Sequence, residues 1–387
     1  MNIAFAVEHF NPRQGGAERY ASGLARWLVE RGHSLDVYTQ TSAEASADGL
    51  CVHPLAVPPR PRWRRPARFA AAIERALEGR HYDVVHGFNH ARPCDVLRLG
   101  GGVHLAFEEY NALSAGSAAA RAARALSYRL LPWYRALRAN EQQQFADRKR
   151  HFIAVSQRVA DDMKRFYPSV GERIHVIRNG VDTAAYNPAA VDARRDAARS
   201  ELRISAETLT LLFVSNNFRL KGLHALIEAL GPAAHGAGGD LLLLVVGRGS
   251  ARPFDGALSR CGVRERVRFC GPTDDLTAYY AAADLLVHPS FYDAFGFVPL
   301  EAVACGLPVV VSRNSGVSEI LEDGNGAVLI NMPCAPADLA AAILRAAQPD
   351  FRERARESNP RRACEHSIEK NYEAVLKLYR KVAAGKK

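Results

Sequence analysis

The segment from Ser290 to Ser312, SFYDAFGFVPLEAVACGLPVVVS, constrains this chain more than any other. An apolar run from Leu285 to His288 precedes it, and a second, Pro308 to Ser312, closes it. Both read as buried strands joined by a glycine turn and a short helix. Strands joined through a helix run parallel, so the residues between them lie at the carboxyl end of a strand, where open α/β sheets bind ligands. Asp293 and Glu301 are there, eight residues apart. Glu301 is embedded in Val298-Pro299-Leu300 and Ala302-Val303-Ala304, where a lone carboxylate is costly without a hydrogen-bonding task. Gly296 and Gly306 bracket the helix as a close backbone approach requires. One carboxylate can accept from ribose hydroxyls and the other from sugar hydroxyls, while amides at the helix start favour a diphosphate. The pattern therefore predicts a nucleotide-sugar site; the plainer alternative is a helix-start acid and a surface glutamate.

The same alternation runs through the rest of the chain. Ile3 to Val7 is an apolar run, followed by a loop through Pro12 and Gly15-Gly16. A helix carrying Tyr20, Leu24 and Leu28 on one face then stops at Gly32 and hands over to Leu35–Tyr38. Tyr82–His86, Val96–Leu99, Phe152–Val155 and Ile174–Ile177 read as further strands of this half. Asp182 to Glu207 is polar and marked by Pro188, and reads as a linker. Beyond it, strands are predicted at Leu209–Val214, Leu241–Val246, Val267–Phe269, Leu285–His288, Pro308–Ser312 and Ala327–Ile330. With 387 residues exceeding what one core supports, two doubly wound parallel-sheet domains of Rossmann-like type are expected, with a cleft between them. Residues 1–185 would form the first domain and 200–366 the second, with 367–387 as a C-terminal helix beyond what the second sheet needs.

The net charge of +10 calls for an acidic partner: nucleotide phosphates, an anionic membrane or nucleic acid. Arg60, Arg62, Arg64, Arg65 and Arg68 form one acid-free run beside Trp63 and Phe69. Arg121, Arg124, Arg129, Arg135 and Arg138 surround Trp133 and Tyr134 in another. These fit an anionic leaflet, a solvated basic face or a groove for a phosphorylated acceptor, and the membrane surface is preferred. No interleaved aromatic-basic sheet motif or recognition helix argues for nucleic acid, so none is expected as partner. The seven scattered cysteines form no C-x-x-C pair or zinc spacing and read as reduced thiols. No apolar run approaches a membrane span, and Met1-NIAFAV reads as a strand, not a signal peptide. A cytoplasmic protein is expected, peripheral at most on the inner face of its membrane.

Further candidates sit in strand-to-helix loops. Gly15 and Gly16 open the first long helix and allow backbone to approach a diphosphate, although an ordinary turn is equally consistent. Arg219 and Lys221 follow the first strand of the second half, where a guanidinium fork and an ammonium suit phosphate oxygens. Gly100-Gly101-Gly102-Val103-His104 ends a glycine-rich turn on a histidine that either bonds a sugar hydroxyl or is a plain loop residue. No D-x-D pair occurs, so no metal and no cofactor is expected; cations and helix amides would hold the diphosphate.

These residues resemble the retaining glycosyltransferases of family four, which have the GT-B fold of two facing Rossmann-like domains. The resemblance spans nearly the whole chain: Gly15 to Glu18, Phe152-IAVS, Val176-IRNGVD-Asp182, Lys221-Gly222, and Ser290 to Ser312, in the family's order. The family's acid pair is usually Glu-x7-Glu, and here Asp293 stands first, one methylene shorter. The resemblance implies that Glu301 binds ribose and that Arg219 and Lys221 bind the diphosphate. It implies that Asp293, with the amides of Ala294, Phe295 and Gly296, holds the donor sugar and its phosphate. Gly15 and Gly16 would close on the diphosphate, His104 would line the sugar pocket, and the C-terminal helix would cross back to the first domain. Asp293, Glu301, Lys221 and Arg219 are the residues implied for catalysis.

Within the family, Thr39-Gln40, Asn217-Phe218 and Ala281-AADLLVHPSFYDAFG resemble enzymes that glucosylate the lipopolysaccharide inner core. Transfer of a hexose, glucose from UDP-glucose, to a lipopolysaccharide core or similar envelope glycan is thus implied. The alternatives are a nucleotide-sugar epimerase of the same architecture and a family member using GDP-mannose or another donor.

Overall fold

The structure is a computed structural model and describes residues 1–386. Two units are distinguished: Met1–Arg178 with the chain from Asn371 onward, and Asn179–Lys370. In the first, seven strands lie in the order β3-β2-β1-β4-β5-β6-β7 with every pair parallel. They are β1 (Asn2–Phe10), β2 (Ser34–Ser42), β3 (Leu50–Pro54), β4 (Val84–Phe88), β5 (Val96–Leu99), β6 (His151–Ala154) and β7 (Ile174–Val176). The run Ile3 to Ala6 is fully buried in the centre of the sheet. The Gly16–Glu30 helix packs Tyr20, Leu24 and Leu28 inward, as its spacing predicts.

Two expectations change in this unit. β4 begins at Val84, not at Tyr82, because its pairing with β1 starts at Ile3 opposite Val84; ahead of it the Tyr82 hydroxyl donates to Asp36 Oδ2 at 2.6 Å and meets the Tyr38 hydroxyl at 2.7 Å. β3 has no counterpart among the predicted strands. It is a half-buried edge strand, LCVHP, without the apolar density of the central ones. The C-terminal helix, Ile368–Ala384, packs here from Asn371 onward: Asn371 accepts from the Tyr20 hydroxyl at 2.8 Å, and Tyr372 meets the Tyr20 and Trp27 rings.

The second unit holds six parallel strands in the order β10-β9-β8-β11-β12-β13. They are β8 (Leu209–Val214), β9 (Leu241–Val246), β10 (Val267–Gly271), β11 (Leu285–His288), β12 (Val309–Ser312) and β13 (Ala327–Ile330). Leu211, Phe213, Val245, Val287 and Val310 are fully buried in its core with Leu226, Leu230 and Ile343 from the covering helices. Each such side chain contributes roughly 1.5–3 kcal/mol of apolar burial. Both sheets are doubly wound. The chain departs in opposite directions from the β8/β11 pair, which makes the carboxyl ends of these strands the switch point.

The stretch read as a linker is folded into the second unit. It carries the short helices Pro188–Asp192 and Arg195–Glu201, which pack on the Leu276–Ala282 helix. Two of its arginines are structural. Arg195 donates to the carbonyls of Ala281 and Ala283 and to Asp284, and buried Arg199 donates to the Ala282 and Thr208 carbonyls.

Candidate active site

At the switch point the loops that follow β8, β9 and β11 are fixed first by backbone sterics. Gly222 has φ +84°, and a Cβ there would lie 2.0 Å from the Pro289 carbonyl oxygen, so no side chain fits between the β8 and β11 loops. Gly247 has φ +134°, and its Cβ would lie 1.7 Å from the Ser215 carbonyl oxygen. The Phe291 N–H donates to the Leu220 carbonyl at 2.9 Å and ties the two loops together.

That crossing brings charged groups into register. Lys221 Nζ lies 2.7 Å from Asp293 Oδ2 and donates to the Tyr292 carbonyl at 2.9 Å. His288, the last residue of β11, places Nε2 2.9 Å from the same Asp293 oxygen. Burial alone would raise the Asp293 carboxyl, but the Lys221 charge and the His288 hydrogen bond outweigh it and hold the group well below its usual range. Burial lowers the His288 imidazole, against the pull of Asp293.

The backbone beyond Asp293 is held by the loop after β12. Its N–H donates to the Asn314 carbonyl at 3.2 Å, and its own carbonyl accepts from the Gly316 N–H at 3.0 Å. The Phe295 carbonyl accepts from the Val317 N–H at 2.7 Å and from the Ser315 hydroxyl at 2.8 Å. Gly296, at φ +105°, then starts the Phe297–Ala304 helix. Glu301 lies one turn inside that helix, 3% exposed, and accepts from the Tyr280 hydroxyl at 2.8 Å. Tyr280 is raised well above the usual phenol range by burial first and then by the Glu301 charge.

Lys221, Arg219, Asp293, Ala294, Phe295 and Gly296 therefore share the carboxyl edge of β8 and β11, with Glu301 on the helix that leaves it. Arg219 is exposed on the β8 loop. Tyr280 and His288 were missed by the sequence reading. A histidine closing the apolar run Leu285–Val287 was the available signal for one; Tyr280 lies 21 residues from Glu301 and gives none.

In the first unit the candidates behave differently. Gly15 is extended at φ −179°, a conformation open to any residue, and an added Cβ would meet only the Glu18 carboxylate at 2.8 Å. His104 is not a loop residue; it begins the His104–Leu113 helix. Its N–H donates to Glu141 Oε2 at 2.6 Å, and its Nε2 lies 3.0 Å from Glu108 Oε1. Buried Glu108 is also paired with Arg138. Glu108, one helical turn after His104, was legible as an i, i+4 partner and was not read as one.

The arginine runs divide in the same unit. Arg65 turns inward, donating to Gln40 Oε1 at 3.1 Å and lying 3.0 Å from His9 Nε2, and Arg68 donates to the Pro58 and Arg60 carbonyls. Arg62 instead stacks over the Trp133 ring at 4.4 Å and Arg64 over Trp63 at 4.7 Å. Among the described residues, no three His, Cys, Asp or Glu side chains converge as metal ligands would, and no helix is long and apolar enough to cross a membrane.

Two doubly wound parallel sheets with charged loops at a switch point define the class of fold, GT-B. Residues 14–185 match the model for glycosyltransferase family 4, and residues 208–348 match that for glycosyl transferases group 1. The lipopolysaccharide glucosyltransferase WaaG of Escherichia coli is 27% identical over 347 residues, covering 89% of each chain. A probable transglycosylase of Burkholderia thailandensis is 31% identical over 312 residues, 79% of this chain and 76% of the relative. A D-inositol 3-phosphate glycosyltransferase of Xylanimonas cellulosilytica is 28% identical, over 85% of this chain and 83% of its own. The crystal structure of WaaG superposes with a TM-score of 0.82 at 25% identity, over 97% of this chain and 99% of that one. The chain belongs to glycosyltransferase family 4.

Proposed function

We propose that this glycosyltransferase moves glucose from UDP-glucose, with retention of anomeric configuration, onto a lipopolysaccharide core or similar envelope glycan. The observation that carries the reading is the Lys221–Asp293 pair at the β8/β11 edge, with Arg219 on the same β8 loop and Glu301 on the adjoining helix. The choice of donor and acceptor leans on the similarity to WaaG over 89% of both chains, and on an Anabaena protein, HepE, solved with UDP-glucose on the same fold (TM-score 0.70, 21% identity).

In this reading Glu301 holds the ribose, and Arg219 with Lys221 stabilises charge on the departing diphosphate, where it develops. Asp293, with the backbone of Ala294, Phe295 and Gly296, holds the hexosyl group. The bond from C1 to the phosphate oxygen breaks while the acceptor oxygen bonds to C1 on the same face. The acceptor proton passes to the leaving phosphate oxygen, so no protein nucleophile and no divalent ion is assigned. The test is a panel of UDP-, GDP- and ADP-sugars, each with and without core oligosaccharide and excess EDTA. Acceptor-dependent release of UDP from UDP-glucose, unaffected by EDTA, is expected. Donor consumed without acceptor to give a new sugar nucleotide would establish an epimerase instead.

The same reading includes attachment to an anionic leaflet. Trp63, Leu126, Leu130 and Leu131 are exposed on the first unit, near arginines that stack on tryptophan and not on carboxylates. Beside Trp63 a cavity of about 620 Å³ is lined by Trp63, Arg64, Arg92, Pro132 and Arg135 and by no acid. Each cation near such a surface contributes about 1 kcal/mol. Sedimentation with vesicles containing anionic lipid is expected at low salt and lost at high salt; no binding at low salt removes this part of the reading.

A further inference from the structure

The two oxygens of Asp293 are unequally used. Lys221 Nζ at 2.7 Å and His288 Nε2 at 2.9 Å both address Oδ2. No described residue bonds Oδ1. His288 is 2% exposed, and its other nitrogen, Nδ1, is buried without a hydrogen-bond partner. An imidazole with one nitrogen facing a carboxylate and the other facing nothing is best satisfied as the neutral tautomer with its proton on Nε2. Lys221 has three N–H bonds: one goes to the Tyr292 carbonyl, one to Asp293, and one remains.

We propose that His288 is a positioning residue for the transfer reaction: together with Lys221 it saturates Asp293 Oδ2, which aims Oδ1 at a hydroxyl of the donor sugar and leaves the third Lys221 proton for the diphosphate. The arrangement explains how an aspartate serves where the family usually has a glutamate. A shorter side chain reaches less far and swings less when one of its oxygens is held by two donors, each from a different element. The groups facing Asp293 are Lys221 from the β8 loop and His288 from β11, while Asn314 and Ser315 from the β12 loop bring no charge. With Lys221 charged, Asp293 ionised and His288 neutral, the trio carries no net charge.

This inference rests on the donor assignment above, and its test separates the two. In His288→Leu the donor is lost at nearly constant volume; in His288→Gln an amide N–H replaces Nε2–H. Loss of a hydrogen bond to a charged group lowers kcat of His288→Leu about 10- to 100-fold, with the KM for UDP-glucose moved less, and His288→Gln recovers most of the loss. The acid limb of the pH–rate profile moves to higher pH in His288→Leu and stays in place in His288→Gln, a response that a purely structural residue would not give. Histidine-selective nitrogen NMR of the wild-type protein reports the His288 tautomer without any turnover. An Nε2–H neutral ring is expected, and an Nδ1–H ring overturns the proposal whatever the donor is. Wild-type kcat and an unshifted acid limb in a folded His288→Leu overturn it equally. If the wild type turns over no UDP-sugar while the NMR signature is found, the donor assignment has failed and the positioning of Asp293 has not.

Discussion

At the carboxyl edge of the second sheet, glycines with positive φ let loop backbones pass at distances that no Cβ tolerates, and the charged side chains then fall onto one another. At the corresponding edge of the first sheet, Gly15 is extended and uncrowded by backbone, and His104 is fixed by side chains: Glu141 on its amide, Glu108 on its ring, Arg138 behind. One edge is placed by main-chain sterics and the other by a half-buried ionic network. The first kind of edge tolerates no change in its glycines and exposes few of its charges. The second tolerates backbone substitution but depends on keeping several polar groups satisfied together.

The largest effects are expected where the edge of the second sheet meets chemistry. Lys221→Ala strips Asp293 of its cation and the diphosphate of a donor; Glu301→Ala removes a buried carboxylate. Each is expected to lower kcat/KM by about 10²–10³ or more, with circular dichroism unchanged, since removing one preorganised donor at a developing charge has effects of that size. Full activity in either variant would break the assignment of this edge as the donor site. Gly222→Ala comes next. Its strained φ and the clash with Pro289 are expected to destabilise the protein by about 1–3 kcal/mol and to separate Lys221 from Asp293, measured as a lowered urea midpoint together with lost activity.

How much of this was readable in the sequence follows from the same division. The strands of the second sheet were legible because their runs are apolar on both faces, and Leu209–Val214, Leu241–Val246, Leu285–His288 and Ala327–Ile330 match residue for residue. Lys221 and Asp293 drew attention in the sequence because they lie close to glycines after predicted strands, and Glu301 because its neighbours are apolar. What escaped were contacts between distant residues: Tyr280 on Glu301, Glu141 on the His104 amide, and Arg195 and Arg199 folding a supposed linker onto the Leu276–Ala282 helix. A polar residue in sequence carries no mark of whether its partner is water or a buried carbonyl.

The two units should also part on acidification. Burial lowers His86, His90 and His151 in the first unit, and lowers His175 to about 4, with the His151 and Lys381 charges adding to the effect on His175. Because these folded-state values lie below the ordinary 6.5, the unfolded chain takes up protons that the folded unit refuses. Stability of the first unit is therefore expected to fall as pH drops from about 6.5 through 4. Asp293, depressed in the second unit, has the same sign but acts at lower pH: its contribution is complete above the ordinary carboxyl value of 3.8 and fades only below that, so that His288 is the lowered imidazole through which the second unit shares the earlier loss. All three tryptophans, Trp27, Trp63 and Trp133, lie in the first unit, so their fluorescence reports on it alone. The fluorescence transition should come at higher pH than the main loss of far-ultraviolet circular dichroism; coincident transitions would contradict it.

The smallest change in stability is expected at Gly15, and it discriminates most finely between the two edges. Gly15→Ala asks nothing of the backbone at φ −179°, and the one atom it would crowd is the tip of the flexible Glu18 side chain. Surface substitutions free of such constraints usually stay within about 0.5 kcal/mol, so the melting temperature should not move. Any fall in transfer would then be a measure of how closely a ligand approaches this helix start, because nothing in the fold itself requires glycine there. A fall in kcat/KM at constant melting temperature is the expected result, read against Gly222→Ala, where both quantities drop. Should Gly15→Ala lose stability instead, the helix start is held by contacts that its extended geometry does not demand, and the contrast drawn between the two edges is wrong.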